Sequence, residues 1–311
     1  TLIAARLCKA DLVTEMVKEF TELQGCVGGL YAREEGYPDE VWMAIYDHYL
    51  PLNIDDELPR TLSGAIVSLS DRIDSLYGFF LSGVRASGSK DPFALRRAAQ
   101  GIVQILLNRD KREVRIGIDR LIDLAARTYG GSPAAQLKSD LLVFFEERVR
   151  TLLEGQFAYD EIAAAMEAEW ASSLPNLVDR VSALHSIRDD PNFLSVLDSA
   201  KRINNITAGH PAGEVKADRL EHDIEKRLND LGTLVGEQIN ELTAVRRYRD
   251  ALESFAALAP ELETFFKEVM VMVDDPSLRS NRMSLLQKIG AMVMNIADVT
   301  KIVVDRRDYR T

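Results

Sequence analysis

The sequence predicts an all-α protein, and three observations carry that expectation. Apolar residues recur at spacings of three and four in one stretch after another, the pattern of a helix that buries one face. No stretch alternates with period two for long enough to read as a strand. An acidic or hydroxyl residue stands directly before proline at Asp91-Pro92, Ser132-Pro133, Asp190-Pro191 and Asp275-Pro276, each ahead of an apolar-periodic run. At a helix start the side-chain oxygen accepts an orphan amide proton, and a proline at the first helical position has no amide to orphan.

Taken in order, Leu7, Asp11 or Val13, Met16 or Val17, and Phe20 trace the first helical face, and glycines and charges at 25–37 break it. Two prolines and an acidic run make a second break at 51–60. Ala65, Ile66, Leu69, Ile73, Leu76, Tyr77 and Phe80 then mark the second long helix. Further breaks fall at 84–91, 108–114 and 130–133, and the most loop-like is 207–213, with its glycines and proline. Leu174-Pro175 follows an Ala/Glu-rich helix and precedes another periodic run, which suits a domain boundary. Phe193, Val196, Leu197, Ala200 and Ile203 stripe the helix that starts at Pro191. Leu262, Phe265, Phe266 and Val269 carry a helical face into the Val-Met repeat at 269–273. Leu278, Leu285, Ile289, Met292, Ile296, Val299 and Val303 predict a last helix of about seven turns.

Length and composition bound the function. The 311 residues exceed one ordinary core and suit two or three domains. A charge of −11 argues against a surface coated for bulk polyanion binding. Residues 1–175 carry 19 basic and 27 acidic side chains, against 19 and 22 for residues 176–311, so the C-terminal part is the better place for a local basic face. No run of eighteen apolar residues and no secretory signal pattern is seen. Cys8 and Cys26 cannot build a disulfide framework, and a reducing cytoplasmic setting is the expectation. The chain starts at Thr1 inside a helical pattern, which suggests a fragment of a longer protein.

Catalytic motifs are missing. There is no Gly-x-Ser-x-Gly elbow, and no histidine is evident beside Cys26 to activate it. Cys8 reads as a buried structural thiol. His48, His185, His210 and His222 form no metal-binding pair. The glycines at 25–29 and 83–88 match neither a Walker loop nor a dinucleotide fingerprint. Lys90, in Ser87-Gly-Ser-Lys-Asp-Pro92, could meet a phosphate at a helix start, although Asp91 competes for the same amides. Around Asp11 and Asp71, the segments Arg6-Leu-Cys-Lys-Ala-Asp11 and Leu69-Ser-Asp-Arg-Ile-Asp74 resemble landmarks of the HD phosphohydrolase superfamily. Ala10 stands where those enzymes place a histidine, so an HD-like helical scaffold without its metal is the expectation.

Basic and polar residues on C-terminal helices are the remaining candidates. Arg202 and Asn205 fall on the solvent side of their helix, with Lys201 on a flank. Arg246, Arg247, Tyr248 and Arg249 form a second cluster, and Arg279 and Arg282 start the last helix. A guanidinium pairs with phosphate in a fork, and an aromatic ring stacks on an unpaired base.

The segment from Ala4 to Gly25 resembles the beta subunit of bacterial glycyl-tRNA synthetase. So do His48-Tyr-Leu-Pro51, Asp71-Arg-Ile-Asp74, Ser89-Lys-Asp-Pro-Phe-Ala-Leu-Arg-Arg-Ala98, Lys201-Arg-Ile-Asn-Asn-Ile206, Val269-Met-Val-Met-Val-Asp-Asp275 and Leu278-Arg-Ser-Asn-Arg282. The resemblance implies a metal-free HD-like domain at 1–88, truncated at its N-terminus, then a helical body at 89–174 and a DALR-type anticodon-binding bundle at 175–311. It implies a fragment of the tRNA-binding subunit, with no catalytic residue, metal or cofactor of its own. Its partners would be glycine tRNA and the alpha subunit, where ATP and magnesium serve the chemistry; neither DNA nor membrane is expected. The tRNA contacts carried over are Lys201, Arg202, Asn205, Arg279 and Arg282, beside the cluster of Arg246, Tyr248 and Arg249. Two rivals stand beside this reading: an HD-class metal-dependent phosphohydrolase using Asp11 and Asp71, and a helical protein-interaction scaffold.

Overall fold

The computed structural model describes residues 1–86, 91, 93–108, 114–211 and 213–303. They form α-helices joined by turns and short 3₁₀ segments, and no strand occurs among the described residues. The chain divides into two compact units, residues 1–152 with 171–175, and residues 153–170 with 176–311.

The first unit holds α1 (Leu2–Leu7), α2 (Glu15–Glu19), α3 (Cys26–Glu34), α4 (Asp39–Asp47), α5 (Leu62–Leu81), α6 (Leu95–Leu107), α7 (Ile118–Thr128) and most of α8 (Ala135–Leu153). Helix α5 is its centre: α1, α4, α6 and α7 all pack on it. Leu69, Ile73, Leu76, Tyr77 and Phe80 of α5 are buried, as the stripe predicted. Ile45 of α4, Ile102 and Leu106 of α6, and Ile122 of α7 are buried on the helices packed against α5. Gly117 explains why 171–175 returns to this unit. A Cβ there would lie 2.6 Å from the carbonyl oxygens of Ala171 and Ser172, and the Ile118 amide donates to Ala171 at 2.7 Å.

The second unit holds α9 (Tyr159–Met166), most of α10 (Leu174–Ile187), α11 (Pro191–Thr207), α12 (Asp223–Ala244), α13 (Tyr248–Ala256), α14 (Ala259–Glu268) and α15 (Pro276–Gly290). Helix α11 packs on α13, α14 and α15, and α12 packs on the same three. Phe193, Val196, Leu197 and Ile203 of α11, Phe255 of α13, Phe265 of α14 and Ile289 of α15 fill the core. Asp190 and Asp275 cap α11 and α15 as expected, each accepting from two amides of the first turn.

Several local expectations need correction. The first helical face is cut into α1, a 3₁₀ turn at Ala10–Val13, α2 and a second 3₁₀ turn. The glycine-rich break at 25–37 contains α3. Asp91 does not cap with proline at the first position. Its carboxylate accepts from Leu95 and Arg96 at 2.7 and 3.0 Å, and α6 starts after a left-handed Ala94. Ser132 likewise lies before the start of α8 at Ala135. The long last helix stops at Gly290, and α14 stops at Glu268. In both places apolar residues go on being buried after the backbone leaves the helix: Val269 and Val271 alternate with exposed Met270 and Met272, and Val293 and Ile296 are buried in turns.

Candidate functional site

In the first unit the two HD-like positions are engaged by the protein itself. Asp11 is 3 % exposed, and its Oδ2 accepts the Gly25 amide at 2.6 Å and the Gly28 amide at 3.2 Å, so it caps α3 from outside. Gly25 adopts φ +81°, a conformation that favours glycine, and a Cβ at Gly28 would touch the Asp11 carboxyl. Asp71 pairs with Lys9 at 2.9 Å, and the same ammonium lies 3.9 Å from the centre of the Tyr49 ring. Burial opposes the Lys9 charge, but hydrogen bonds to Tyr49 and Asp71 outweigh it and raise its pKa. His48 is fully buried. Its Nδ1 donates to the Ile45 carbonyl at 2.6 Å, which makes Nε2 an acceptor. Burial lowers its pKa below the ordinary 6.5. Asp11 Oδ1 and His48 Nε2 are both buried without a protein partner. Among the described residues, no group of three or more His, Cys, Asp or Glu side chains is arranged to hold a metal ion.

The resembling segments dock on one another through an arginine that the sequence reading passed over. Arg72 donates to the carbonyls of Tyr49 and Pro51 at 2.6 and 2.7 Å and to Ser68 at 3.1 Å. Burial pulls its pKa to about 10. A Cβ at Gly101 of α6 would lie 2.8 Å from this guanidinium, so glycine is the residue that lets α6 approach. Lys90 lies outside the described residues.

In the second unit the candidates separate into two groups. Arg282 is 2 % exposed; it pairs with fully buried Glu225 at 2.6 Å and donates to the Met270 carbonyl at 3.0 Å. A second carboxylate, that of Glu221, lies 3.6 Å from the same guanidinium. Its neighbour Asn281 holds the 216–219 loop through Lys216 and Arg219. Arg279 donates to the Val273 carbonyl, and Lys201 to Ile302. Tyr248 is 4 % exposed, and its hydroxyl accepts from Asn176 at 2.7 Å. These side chains tie elements together.

Arg202, Asn205, Arg246 and Arg249 are instead exposed. Arg202 stacks on Phe266 of α14, with 4.0 Å from guanidinium carbon to ring centre. Arg246, Arg247 and Arg249 crowd the corner between α12 and α13. Their side chains are 54, 63 and 60 % exposed, paired with Asp179, Asp250 and Glu253. The Glu253 carboxylate raises the Arg249 pKa. Solvated pairs of this kind add little to stability, so a phosphate can replace the carboxylate at little cost. Arg246 sits at φ 60°, where helix ends normally place glycine. The amides of Arg246 and Arg247 donate back to Thr243 and Leu242, closing α12.

Two buried clusters had no local signal. Arg180 is 1 % exposed and donates to the carbonyls of Ala165, Ile296 and Glu169, joining α9, α10 and the C-terminal segment. Arg188 binds buried Asp160 and Glu161 at 3.1 and 2.7 Å.

Comparison with known proteins gives the family. The family described as "Glycyl-tRNA synthetase beta subunit" matches residues 2–167. The glycine--tRNA ligase beta subunit of Acidobacterium capsulatum is 38% identical over 313 aligned residues, covering 97% of this chain and 44% of that protein. The corresponding subunit of Desulforamulus reducens is 37% identical, with 97% and 44% covered. That of Geobacter metallireducens is 39% identical, with 96% and 43% covered. The chain thus spans less than half the length of these relatives. With the family match running through the first unit and the alignments through nearly all of both, the chain belongs to the glycyl-tRNA synthetase beta subunit family.

Proposed function

We propose that this chain is the RNA-holding part of a glycine--tRNA ligase beta subunit. It positions glycine tRNA for a reaction carried out by a companion alpha subunit, where ATP and magnesium act. The observation that carries the reading is the exposed arginine corner of Arg246, Arg247 and Arg249 in a chain that aligns almost throughout with beta subunits. Arg202 on Phe266 extends the basic face along α11: Asp190, whose charge acts on Arg249, and Arg202 are twelve residues apart, or roughly 18 Å of helix. Backbone phosphates would be held by these guanidiniums, while Asn205 and the Phe266 ring edge would meet bases. Lys201, Tyr248, Arg279 and Arg282 would act by fixing the helices that present the face. The finer architecture belongs to the same proposal: an HD-like domain at 1–88, a helical body at 89–174 and a DALR-type anticodon-binding bundle at 175–311, working in the cytoplasm. Holding the tRNA body raises the effective concentration of its reactive end at the companion site.

The test is binding of glycine tRNA and of a mismatched tRNA to the chain at two salt concentrations. Tighter binding of glycine tRNA that weakens as salt rises is expected, because phosphate contacts release counterions. Arg202→Ala with Arg249→Ala should weaken it. Equal affinity for both tRNAs, or glycylation by the chain alone, would refute the assignment.

A further inference from the structure

A cleft of about 460 Å³ opens in the first unit between the end of α5, the start of α6 and one face of α8. Its volume lies within the range of small-molecule sites. Arg85, Arg96 and Arg148 line it, with Asp140 and Glu147 as its acidic side chains. Three guanidiniums thus gather in the part of the chain where acidic residues outnumber basic ones. Two of them are fixed in the same way. Arg85 lies 4.2 Å from the centre of the Phe80 ring and donates to the Phe80 carbonyl at 2.7 Å. Arg148 lies 3.9 Å from the centre of the Phe144 ring and donates to the Phe144 carbonyl at 2.8 Å. The two rings meet edge to face, with centres 5.2 Å apart. A guanidinium stacked on a ring is pre-organised, and its N–H edge still points outward to a ligand.

The acidic side chains compensate this charge only in part. Asp140 accepts from Arg85 at 2.9 Å and from Gln136 at 2.7 Å, and these bonds lower its pKa. Glu147 pairs with Arg148, but it is 69 % exposed where the arginine is 13 % exposed. Burial lowers the Arg148 pKa, and the charge of Arg96 acts in the same direction, against Glu147 and Asp91. Asp91 already uses both carboxylate oxygens on the amides of Leu95 and Arg96. Arg96, Glu147 and Arg148 also line a second cleft of about 230 Å³, where Ile54 and Leu152 are apolar and Gln100 and Thr151 polar.

We propose that the larger cleft binds the phosphate group of a small phosphorylated molecule, whose remainder lies along the smaller cleft. Phosphate suits the three arginines better than carboxylate does. A carboxylate has two oxygens and one charge, and Asp140 and Glu147 each engage one arginine of the cleft. A phosphate brings three acceptor oxygens and about two negative charges, so one group serves all three guanidiniums. Glu147 turns to solvent as the ligand takes its place on Arg148, because a pair with so exposed a carboxylate is weak. The proposal is independent of the RNA reading, which uses arginines of the second unit.

The experiment is isothermal titration calorimetry of the full chain with inorganic pyrophosphate, AMP, adenosine and citrate at constant ionic strength, with glycine tRNA titrated separately. Pyrophosphate and AMP should bind, and adenosine and citrate should bind at least roughly tenfold more weakly, the worth of a hydrogen bond between charged groups. Arg96→Gln should weaken pyrophosphate by a similar factor. Glu147→Gln removes the competing carboxylate and should tighten pyrophosphate severalfold, an effect that a merely structural role would not produce. Circular dichroism and thermal melting confirm that both variants fold. Arg249→Ala should weaken glycine tRNA and leave pyrophosphate unchanged. Absence of pyrophosphate and AMP binding overturns the proposal, as does citrate bound as tightly as pyrophosphate. A third contrary result is Arg96→Gln weakening glycine tRNA alone, which would give the cleft to the RNA backbone. If pyrophosphate binds and glycine tRNA does not, the RNA reading falls and this one stands.

Discussion

Arg246 shows how a single residue can be held against its own preference. A left-handed conformation costs a non-glycine residue about 1–2 kcal/mol, yet an arginine closes α12 at φ 60°. Strain at an exposed position points towards function rather than packing. Arg246→Gly should therefore raise stability by about 1 kcal/mol in urea denaturation while weakening tRNA binding; a variant that binds unchanged would remove Arg246 from the proposed face. His48 makes the opposite case, a polar group kept for the interior. Its folded pKa lies below its unfolded value because burial disfavours the charge, so the unfolded chain binds more protons in that interval. The stabilisation is complete above the unfolded value of about 6.5 and is lost as pH falls below it, through the lower folded value. The melting temperature should drop over that range, and His48→Gln should flatten the drop. These details lay beyond the sequence reading: arginine carries no signal for a left-handed helix end, where glycine is the usual residue, and the burial of the His48 ring depends on how the chain packs around it.

At the scale of elements, helix pairs are set by a few close approaches. Gly29 of α3 packs on α4, where a Cβ would come within 2.5 Å of Tyr46 Cβ. Gly29→Ala should push the two helices apart and cost about 1–3 kcal/mol, read as a lower denaturation midpoint. Glycine has a low helix propensity, which is why 25–37 reads as a break; Asp11 capping from outside and the contact with Tyr46 reverse that reading. Arg282 does similar work in the second unit, joining the start of α12, the 269–273 segment and α15. Arg282→Met would leave Glu225 charged and buried without its counter-ion, at about 3–5 kcal/mol. Calorimetry should show the loss, and Glu225→Gln in the same chain should recover part of it. The caps at Asp190 and Asp275 were legible because an N-cap acts within three residues.

The whole molecule is two compact units whose boundary runs near Leu174-Pro175, with 153–170 and 171–175 assigned to opposite units. Each has its own core, so unfolding should depart from a single two-state transition. Calorimetric and van't Hoff enthalpies that disagree would show this; equal values would mean that the units melt as one. The net charge of −11 and the proposed basic face are compatible because screening confines each charge's reach to about 10 Å at ordinary salt. The distant acidic residues are screened from the arginine corner, and the carboxylates that bear on it are the partners Asp179, Asp250 and Glu253 that a phosphate would displace.

By itself, the sequence determined the all-helical class, the positions of α5 and α11, and the caps that start α11 and α15. All of these follow from spacing and from contacts within one helical turn. It also carried the resemblance that the family comparison bears out over residues 2–167. Tertiary structure alone decided which arginines face solvent and which are buried, and where apolar periodicity continues after the helix has ended. Periodicity records which residues are buried. The fate of a polar group depends on partners a hundred or more residues away, as Arg180 and Ile296 show.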